Sequence, residues 1–466
     1  MLDIINNIND FLWTYIMIAL LIGAAVWFTI ATRGVQFRYF GEMWRLLARS
    51  GERHDGDSTH HSRVSSFQAF AVSVASRVGT GNLAGVATAI ALGGPGSVFW
   101  MWVIALLGSA NAFVESTLAQ LFKVKGSHSF RGGPAYYIFK GIGSRAWAVT
   151  FAVLIIITFS LAFNSVQSNT IAIAVEPYGI SPLITGIVLS VLTVACIWGG
   201  IRTISRVSEI VVPVMAILYV ILAVVIVILN LHHFPAVIAM IVENAFGFES
   251  VMGGGVGMAV MMGVKRGLFS NEAGEGSTPN AAATAAVSHP VKQGLLQTFG
   301  VFVDTLLICT CTAFIILCSG VFADGSTGIA LTQRALDSEI GSELGSLFVA
   351  IAIFFFAFSS IIANYYYGEA NIQFITSRHW PVTLLKIAST AMVMVGALVS
   401  LDLVWALADV TMALMTLCNV AAILVLGRYA LACLADYAVQ RRQGIDPVYR
   451  RSTIPRIARM TDCWPL

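Results

Sequence analysis

Charge is what this chain has least of. Lys, Arg, Asp and Glu together make up 11% of its 466 residues, against about 25% in an ordinary soluble domain. Apolar residues make up 57%. That balance excludes a soluble globular protein and calls for a membrane protein with many spans. The formal net charge of +3 is too small to suggest a nucleic-acid partner. Paired cysteine spacing is missing as well. Cys196, Cys309, Cys311, Cys318, Cys418, Cys433 and Cys463 lie mostly in apolar stretches, which argues against a disulfide framework or a metal site and leaves them as small core residues. His54, His60 and His61 have no cysteine or carboxylate cluster of ligand spacing beside them, so they read as part of a solvated loop. No nucleophile–base set points to an enzyme, and no ring of charge or repeated subunit motif points to a channel. The marks of a cleaved signal peptide, a basic front and a small-residue cleavage site, are absent too. Asp3 and Asp10 instead precede the apolar run 14–31, which reads as a retained helix with its N-terminus outside.

Long hydrophobic runs are abundant. About 20 apolar residues span a bilayer. On that measure there is one leading helix (14–32) and ten more: 65–92, 95–121, 146–175, 182–200, 207–231, 252–286, 294–320, 344–371, 381–400 and 402–427. Alternating sides from an outside start places every Lys and Arg in the cytoplasm except Arg77, Lys265, Arg266 and Arg334, as the positive-inside rule demands. The fold expected is therefore an all-α polytopic membrane protein of eleven transmembrane helices, with the C-terminus cytoplasmic. Residues 38–50 read as a basic amphipathic helix at the inner face. Residues 234–250 are too short and polar to cross, and are either a cap over an external vestibule or a plain surface loop. The tail after 440 has no apolar period and reads as a loosely ordered extension.

Two of the long segments are interrupted by glycine-rich stretches, Arg77-Val78-Gly79-Thr80-Gly81-Asn82 and Phe269-Ser270-Asn271-Glu272-Ala273-Gly274-Glu275-Gly276-Ser277. Unwound backbone in the bilayer has no water to satisfy it, so it persists where it faces a cavity and binds something. Setting the leading helix aside, the other ten divide into five and five, and the interrupted segments open the two halves from opposite sides. The organisation expected is 1–64, an N-terminal helix and basic loop; 65–231, a first repeat; 232–427, an external loop and an inverted second repeat; and 428–466, a basic tail. Paired breaks in inverted halves point to the binding site of a secondary transporter. A half-helix that begins after a break offers free N–H groups to a carboxylate, and one that ends before it offers free C=O groups to a cation. Gly79-x-Gly81-x-x-x-Gly85 superficially resembles a dinucleotide loop, but an apolar helix precedes it where that motif needs a strand.

The stretches Ser66-Phe67-Gln68, Arg77 to Ala87, Gly93-Gly94-Pro95-Gly96, Phe130-Arg131-Gly132-Gly133-Pro134-Ala135-Tyr136-Tyr137 and Leu268-Phe269-Ser270-Asn271-Glu272-Ala273-Gly274 closely resemble the alanine or glycine:cation symporter family, within the amino acid–polyamine–organocation superfamily. The resemblance runs from the leading helix to about residue 440. It implies a LeuT-like fold with a five-plus-five inverted repeat, import of small neutral amino acids (alanine, glycine) with Na⁺ as coupling ion, no cofactor, and a bacterial inner membrane as the setting, with lipid as surrounding partner. Carried over by residue, it implies that Thr80 and Gly81 donate N–H groups to the substrate carboxylate, with Gly79 allowing the approach. Asn82, Gln167 and Phe269 would contact the amino acid. For Na⁺ it implies the carbonyls of Ala75 and Val78 with the hydroxyls of Ser359 and Ser360. A departure is Asn364, in a segment where some relatives carry tryptophan. It leaves a substrate-facing position without an aromatic wall.

Serines in membrane helices also bond back to their own preceding turn, which is the plain alternative for Ser359 and Ser360. Intramembrane charges are functional suspects by default. Here these are Glu115, Glu272, Glu275, Asp304, Glu369 and Asp409. Arg266 or Lys265 pairing with Glu272 or Glu275 would brace the second break, and that reading is favoured for Glu275 with Arg266. A rival mechanism on the same fold is proton-coupled symport through Glu272, Glu275 or Asp304.

Overall fold

The computed structural model describes residues 2–49, 64–126, 129–247, 255–461 and 463–465. The histidines at 54, 60 and 61 and the last residues of 234–250 lie outside them. Besides short turns such as Val35–Arg38 and Pro134–Tyr137, the helices in chain order are α1 (Leu2–Ala31), α2 (Phe40–Arg49), α3 (Ser66–Arg77), α4 (Gly81–Gly93), α5 (Gly96–Leu121), α6 (Arg145–Tyr178), α7 (Pro182–Ile197) and α8 (Gly200–Leu229). They continue with α9 (Phe234–Ala245), α10 (Gly255–Asn271), α11 (Pro279–Ala282), α12 (Pro290–Ser319), α13 (Gly328–Ile340), α14 (Leu344–Ile375), α15 (Trp380–Leu398) and α16 (Leu401–Arg442). Among the described residues eight of these, α1, α5, α6, α8, α12, α14, α15 and α16, are long and apolar enough to cross a membrane. The two interrupted segments appear as the pairs α3/α4 and α10/α11. A short antiparallel ribbon, Val124–Lys125 with Phe130–Arg131, follows α5.

Local sequence explains the helix starts. Ser65 caps α3 in a reciprocal box: its hydroxyl accepts from the Gln68 N–H, and the Gln68 side chain accepts from the Ser65 N–H. Proline stands in the first turn of α7 and α12, where its missing N–H costs nothing. The outer surfaces of α7 and α8 are greasy, with Ile184, Ile187, Val191, Ile217, Ile221, Val225 and Ile228 all exposed. In a bilayer those faces meet lipid. The inner set is different. α10 and α12 pack along α5, α14 packs on α3, and α10 packs on α4, so both breaks are enclosed by protein, the condition under which open backbone survives at membrane depth.

Three non-spanning parts can be placed. α2 matches the amphipathic helix expected at 38–50, with Trp44 against Phe299 at 4.7 Å between ring centroids. The stretch read as either cap or loop is a helix, α9, seated on the start of α5. The Trp100 indole donates to the Ala245 carbonyl at 3.2 Å, and Gly96 leaves no room for a Cβ beside Asn244.

The tail differs from expectation. α16 continues to Arg442, and the chain then folds back over the end of the bundle. Tyr449 and Trp464 are buried and in edge contact. The Tyr449 N–H donates to the Ser288 carbonyl at 2.9 Å, and Lys292 pairs with Asp446 at 2.7 Å. The Trp464 indole donates to the carbonyls of Gln120 and Leu121 at the end of α5, with the Lys123 ammonium over its ring. Two aromatic anchors and hydrogen bonds to helix-end carbonyls hold this segment, and neither produces a periodic pattern in sequence.

Candidate functional site

α3 ends because Val78 leaves the helix (φ −79°, ψ 91°). The break opens both of its edges to side chains. On the N–H edge, Gly79 donates to Asn82 Oδ1 at 2.9 Å and Thr80 donates to Gln167 Oε1 at 3.0 Å. On the carbonyl edge, the Ser360 hydroxyl donates to the oxygens of Ala75 (2.9 Å) and Val78 (3.4 Å). Gly79 sits between the two groups. A Cβ there would lie 2.5 Å from Ser360 Oγ and 2.9 Å from Gln167 Oε1, so only glycine lets these side chains approach.

The second break begins at Asn271. Glu272, Gly274 and Gly276 all take positive φ (55°, 93° and 86°), the left-handed region that favours glycine. Glu115 on α5 caps the unwound turn. Its carboxylate accepts from the N–H groups of Gly274 (3.1 Å) and Gly276 (3.0 Å) and from the Asn419 amide (2.8 Å). Glu272 accepts from the hydroxyls of Ser76 (2.6 Å) and Ser277 (2.5 Å).

The two breaks touch. A Cβ on Gly81 would lie 2.9 Å from Ser270 Cα and 3.1 Å from the Phe269 ring. Asp304 ties them together, accepting from Asn82 Nδ2 at 2.7 Å and from Ser270 Oγ at 2.9 Å, with Thr305 as a third donor. Ser76, just before the first break, reaches both Glu272 and Asn364. Arg77 crosses from the first break to the far side of the second, donating to Thr278 Oγ1 and to the Gln297 carbonyl and side-chain oxygen.

Gly79, Thr80, Gly81, Asn82, Gln167, Phe269, Ala75, Val78 and Ser360 thus fall in one cluster. Phe269 is held between Phe163 and Trp405, at 4.5 and 4.7 Å between centroids. Asn364 lies one helical turn beyond Ser360 and bonds to Ser76 on the side of the second break. Ser359 bonds back to the Phe356 carbonyl at 2.8 Å, within its own helix.

The brace expected between Arg266 or Lys265 and the two glutamates is corrected. Both cations bind Asp409 on α16. Arg266 makes two parallel bonds (3.1 and 2.8 Å) and Lys265 one at 2.7 Å. The Arg266 guanidinium lies 4.2 Å from the Trp405 ring centroid, which in turn backs Phe269. The sequence separation of 143 residues hid this partner. Removing one side of a buried ion pair leaves uncompensated charge, typically costing about 3–5 kcal/mol. Asp409→Asn is therefore expected to lower the thermal unfolding midpoint of the purified protein by several degrees. A midpoint equal to the wild type's, read by intrinsic fluorescence, would contradict a bracing role for Asp409. Trp405 and the capping role of Glu115 were not apparent from the sequence, since both act on breaks formed by distant segments.

Interrupted helices enclosed in an apolar bundle are the architecture of a secondary transporter of the LeuT-fold class. In keeping with this, a manganese transporter of Eremococcus coleocola superposes with a TM-score of 0.54 over 88% of this chain and 87% of its own, at 16% identity. Residues 1–451 match the sodium:alanine symporter family, and the chain belongs to that family. The amino-acid carrier protein AlsT of Bacillus subtilis is 53% identical over 455 residues (97% of this chain, 96% of that one). GlnT of the same organism, described as a probable sodium/glutamine symporter, is 47% identical over 465 residues (99% and 96%). The protein is a multi-pass membrane transporter and not an enzyme.

Proposed function

We propose that this protein imports a small neutral amino acid, alanine or glycine, together with Na⁺ by alternating access. The carrying observation is that both edges of the first break are occupied by side-chain dipoles of the sign the two ligands would have. Gln167 Oε1 takes the Thr80 N–H that a substrate carboxylate would accept. The Ser360 hydroxyl takes the Ala75 and Val78 carbonyls that a cation would coordinate. Substrate displaces the Gln167 oxygen from Thr80, gains the neighbouring Gly81 N–H, and lies against Phe269. Na⁺ takes the two carbonyls, and the Ser360 hydroxyl turns its lone pairs toward the ion. Ser359 joins this set by turning away from Phe356. The donors are all oxygens, which suits a hard cation.

Because both ligands share the turn 75–81, binding of either orders the site for the other, and the coupling is reciprocal. Inward Na⁺ movement gains about 2.3 kcal/mol per charge for every 100 mV of inside-negative potential. α3/α4 and α10/α11 then rock together against the remaining helices, held as a unit by Asp304. The names of the family and of AlsT support an amino-acid cargo, while GlnT raises a longer amide substrate as a competitor. The wider reading comprises eleven spans in a five-plus-five inverted repeat behind an extra first helix, the N-terminus outside, the C-terminus inside, and a bacterial inner membrane.

The test is uptake of labelled alanine into proteoliposomes. An imposed Na⁺ gradient is expected to drive accumulation, with unlabelled alanine and glycine competing better than glutamine. Accumulation driven by a pH gradient in the absence of Na⁺ would reject the cation assignment. Stronger competition by glutamine than by alanine would reject the substrate assignment.

A further inference from the structure

Among the described residues four carboxylates, Glu115, Glu272, Glu275 and Asp304, lie buried around the two breaks, and three of them are matched by donors. Glu115 has three N–H partners, Glu272 two hydroxyls, and Asp304 one amide and two hydroxyls. Glu275 is the exception. It is fully buried, and neither of its oxygens has a hydrogen-bond partner. A second unmatched group lies against the preceding residue, Gly274. Asn111 on α5, one turn before Glu115, is fully buried, and its amide nitrogen and oxygen both lack partners. The amide nitrogen lies 3.2 Å from the place a Cβ on Gly274 would occupy, so the side chain is aimed into the second break.

The charged groups that act on Glu275 are Glu272 in its own loop, Glu115 from α5 and Arg77 from α3. Two are of its own sign. Arg77 donates to the neutral Gln297 and Thr278, so its single positive charge is shared among the carboxylates around it, and Lys265 and Arg266 are committed to Asp409. One cation thus faces the three glutamates, and it makes no hydrogen bond to Glu275. An ionised carboxylate without a donor is far costlier to bury than a neutral one, and such groups neutralise instead. Ionisable side chains at membrane depth mark ion and proton pathways.

We propose that the second break holds a proton-binding site on Glu275, separate from the Na⁺ site at the first break, and that this proton travels with the substrate. When the break opens to one side, the Glu275 carboxylate takes a proton from water there and becomes a carboxylic acid. The closed state carries it with the carboxyl facing the Asn111 amide. Opening to the other side returns the proton to water and restores the carboxylate. The inference rests on the reading of this chain as a Na⁺-driven carrier of small amino acids, and its test separates the two.

Wild-type protein is reconstituted with a pH-sensitive dye inside the vesicles, and labelled alanine and lumenal pH are followed together under a Na⁺ gradient. Lumenal acidification that accompanies alanine uptake, and is lost in Glu275→Gln while Glu275→Asp retains it, is the expected result. Na⁺-driven alanine uptake without acidification in the wild type would overturn the inference and leave the parent reading standing. Failure of Na⁺ to drive uptake would sink the parent reading. Acidification undiminished in Glu275→Gln would remove Glu275 as the carrier. Should Glu275→Gln be inactive, difference infrared spectra of the purified proteins decide the matter. The wild type is expected to show a protonated-carboxyl stretch absent from the variant, and a wild type without that band overturns the proposal.

Discussion

Gly79→Ala is expected to abolish Na⁺-driven alanine uptake while the protein still folds and reconstitutes. The added methyl would lie 2.5 Å from Ser360 Oγ, 2.9 Å from Gln167 Oε1 and 3.1 Å from Gln167 Nε2. All three atoms are the far ends of side chains. They can retreat without moving a helix, so the fold is spared. The groups that must retreat are Ser360, proposed to hold the cation, and Gln167, which covers the Thr80 N–H proposed to hold the substrate carboxylate. Overpacking of this kind costs about 1–3 kcal/mol. Loss of one charged hydrogen bond on each side adds about 1.5–3 kcal/mol apiece. With each 1.4 kcal/mol worth about tenfold, uptake should fall by at least ~100-fold. Size-exclusion behaviour like the wild type's with uptake at background is the expected pair of observations. Uptake within a few-fold of wild type would show that neither ligand is held at this turn. Gly81→Ala is a harsher change, because its methyl would meet the Ser270 backbone at 2.9 Å and drive the two breaks apart.

Ser360→Ala is expected to raise the Na⁺ concentration needed for half-maximal uptake by about 10–100-fold, from the loss of a bond to a charged partner worth about 1.5–3 kcal/mol. The effect should fall on Na⁺ far more than on alanine measured at saturating Na⁺. Ser359→Ala should act in the same direction and more weakly, since both hydroxyls bond back to the Phe356 carbonyl and of the two it is Ser360 that also reaches Ala75 and Val78. Measuring Na⁺ activation curves for the two variants side by side checks both statements. Equal, small shifts would mean that the cation does not sit between α14 and the end of α3. Consecutive residues on a helix are about 100° apart, so two adjacent serines cannot present their hydroxyls to the same pair of carbonyls without one of them turning.

The breaks were legible because glycine clusters inside long apolar runs contradict helix formation, and only a bound ligand or enclosing protein makes that contradiction tolerable. α2 was legible from its amphipathic period, and the long spans from hydropathy alone. The partners of the intramembrane charges were not. Lys265 and Arg266 lie a few residues from Glu272 and Glu275 in the chain, yet a helix carries them toward α16 and Asp409. Proximity in sequence favoured the wrong carboxylates because it records neither the direction of a side chain nor which helix comes alongside. The tail was misread for a related reason. Tyr449 and Trp464 anchor it through single contacts to helix ends and loops, and isolated anchors leave no repeating signature.

Composition and pattern by themselves determined that this is a many-spanning membrane protein and where its two helices unwind. These properties follow from how each residue type tolerates lipid or a helix, and need no knowledge of neighbours. Tertiary structure alone decided which oxygens and N–H groups of the breaks converge. Ser360 meets carbonyls 282 and 285 residues away, Gln167 meets an N–H 87 residues away, and Glu115 closes a turn some 160 residues further along the chain. Such pairings arise from packing helices against one another, where burial drives most polar groups to find a donor or acceptor within about 3 Å. Glu275, the carboxylate for which packing supplied none, stood out only once the other three had been matched.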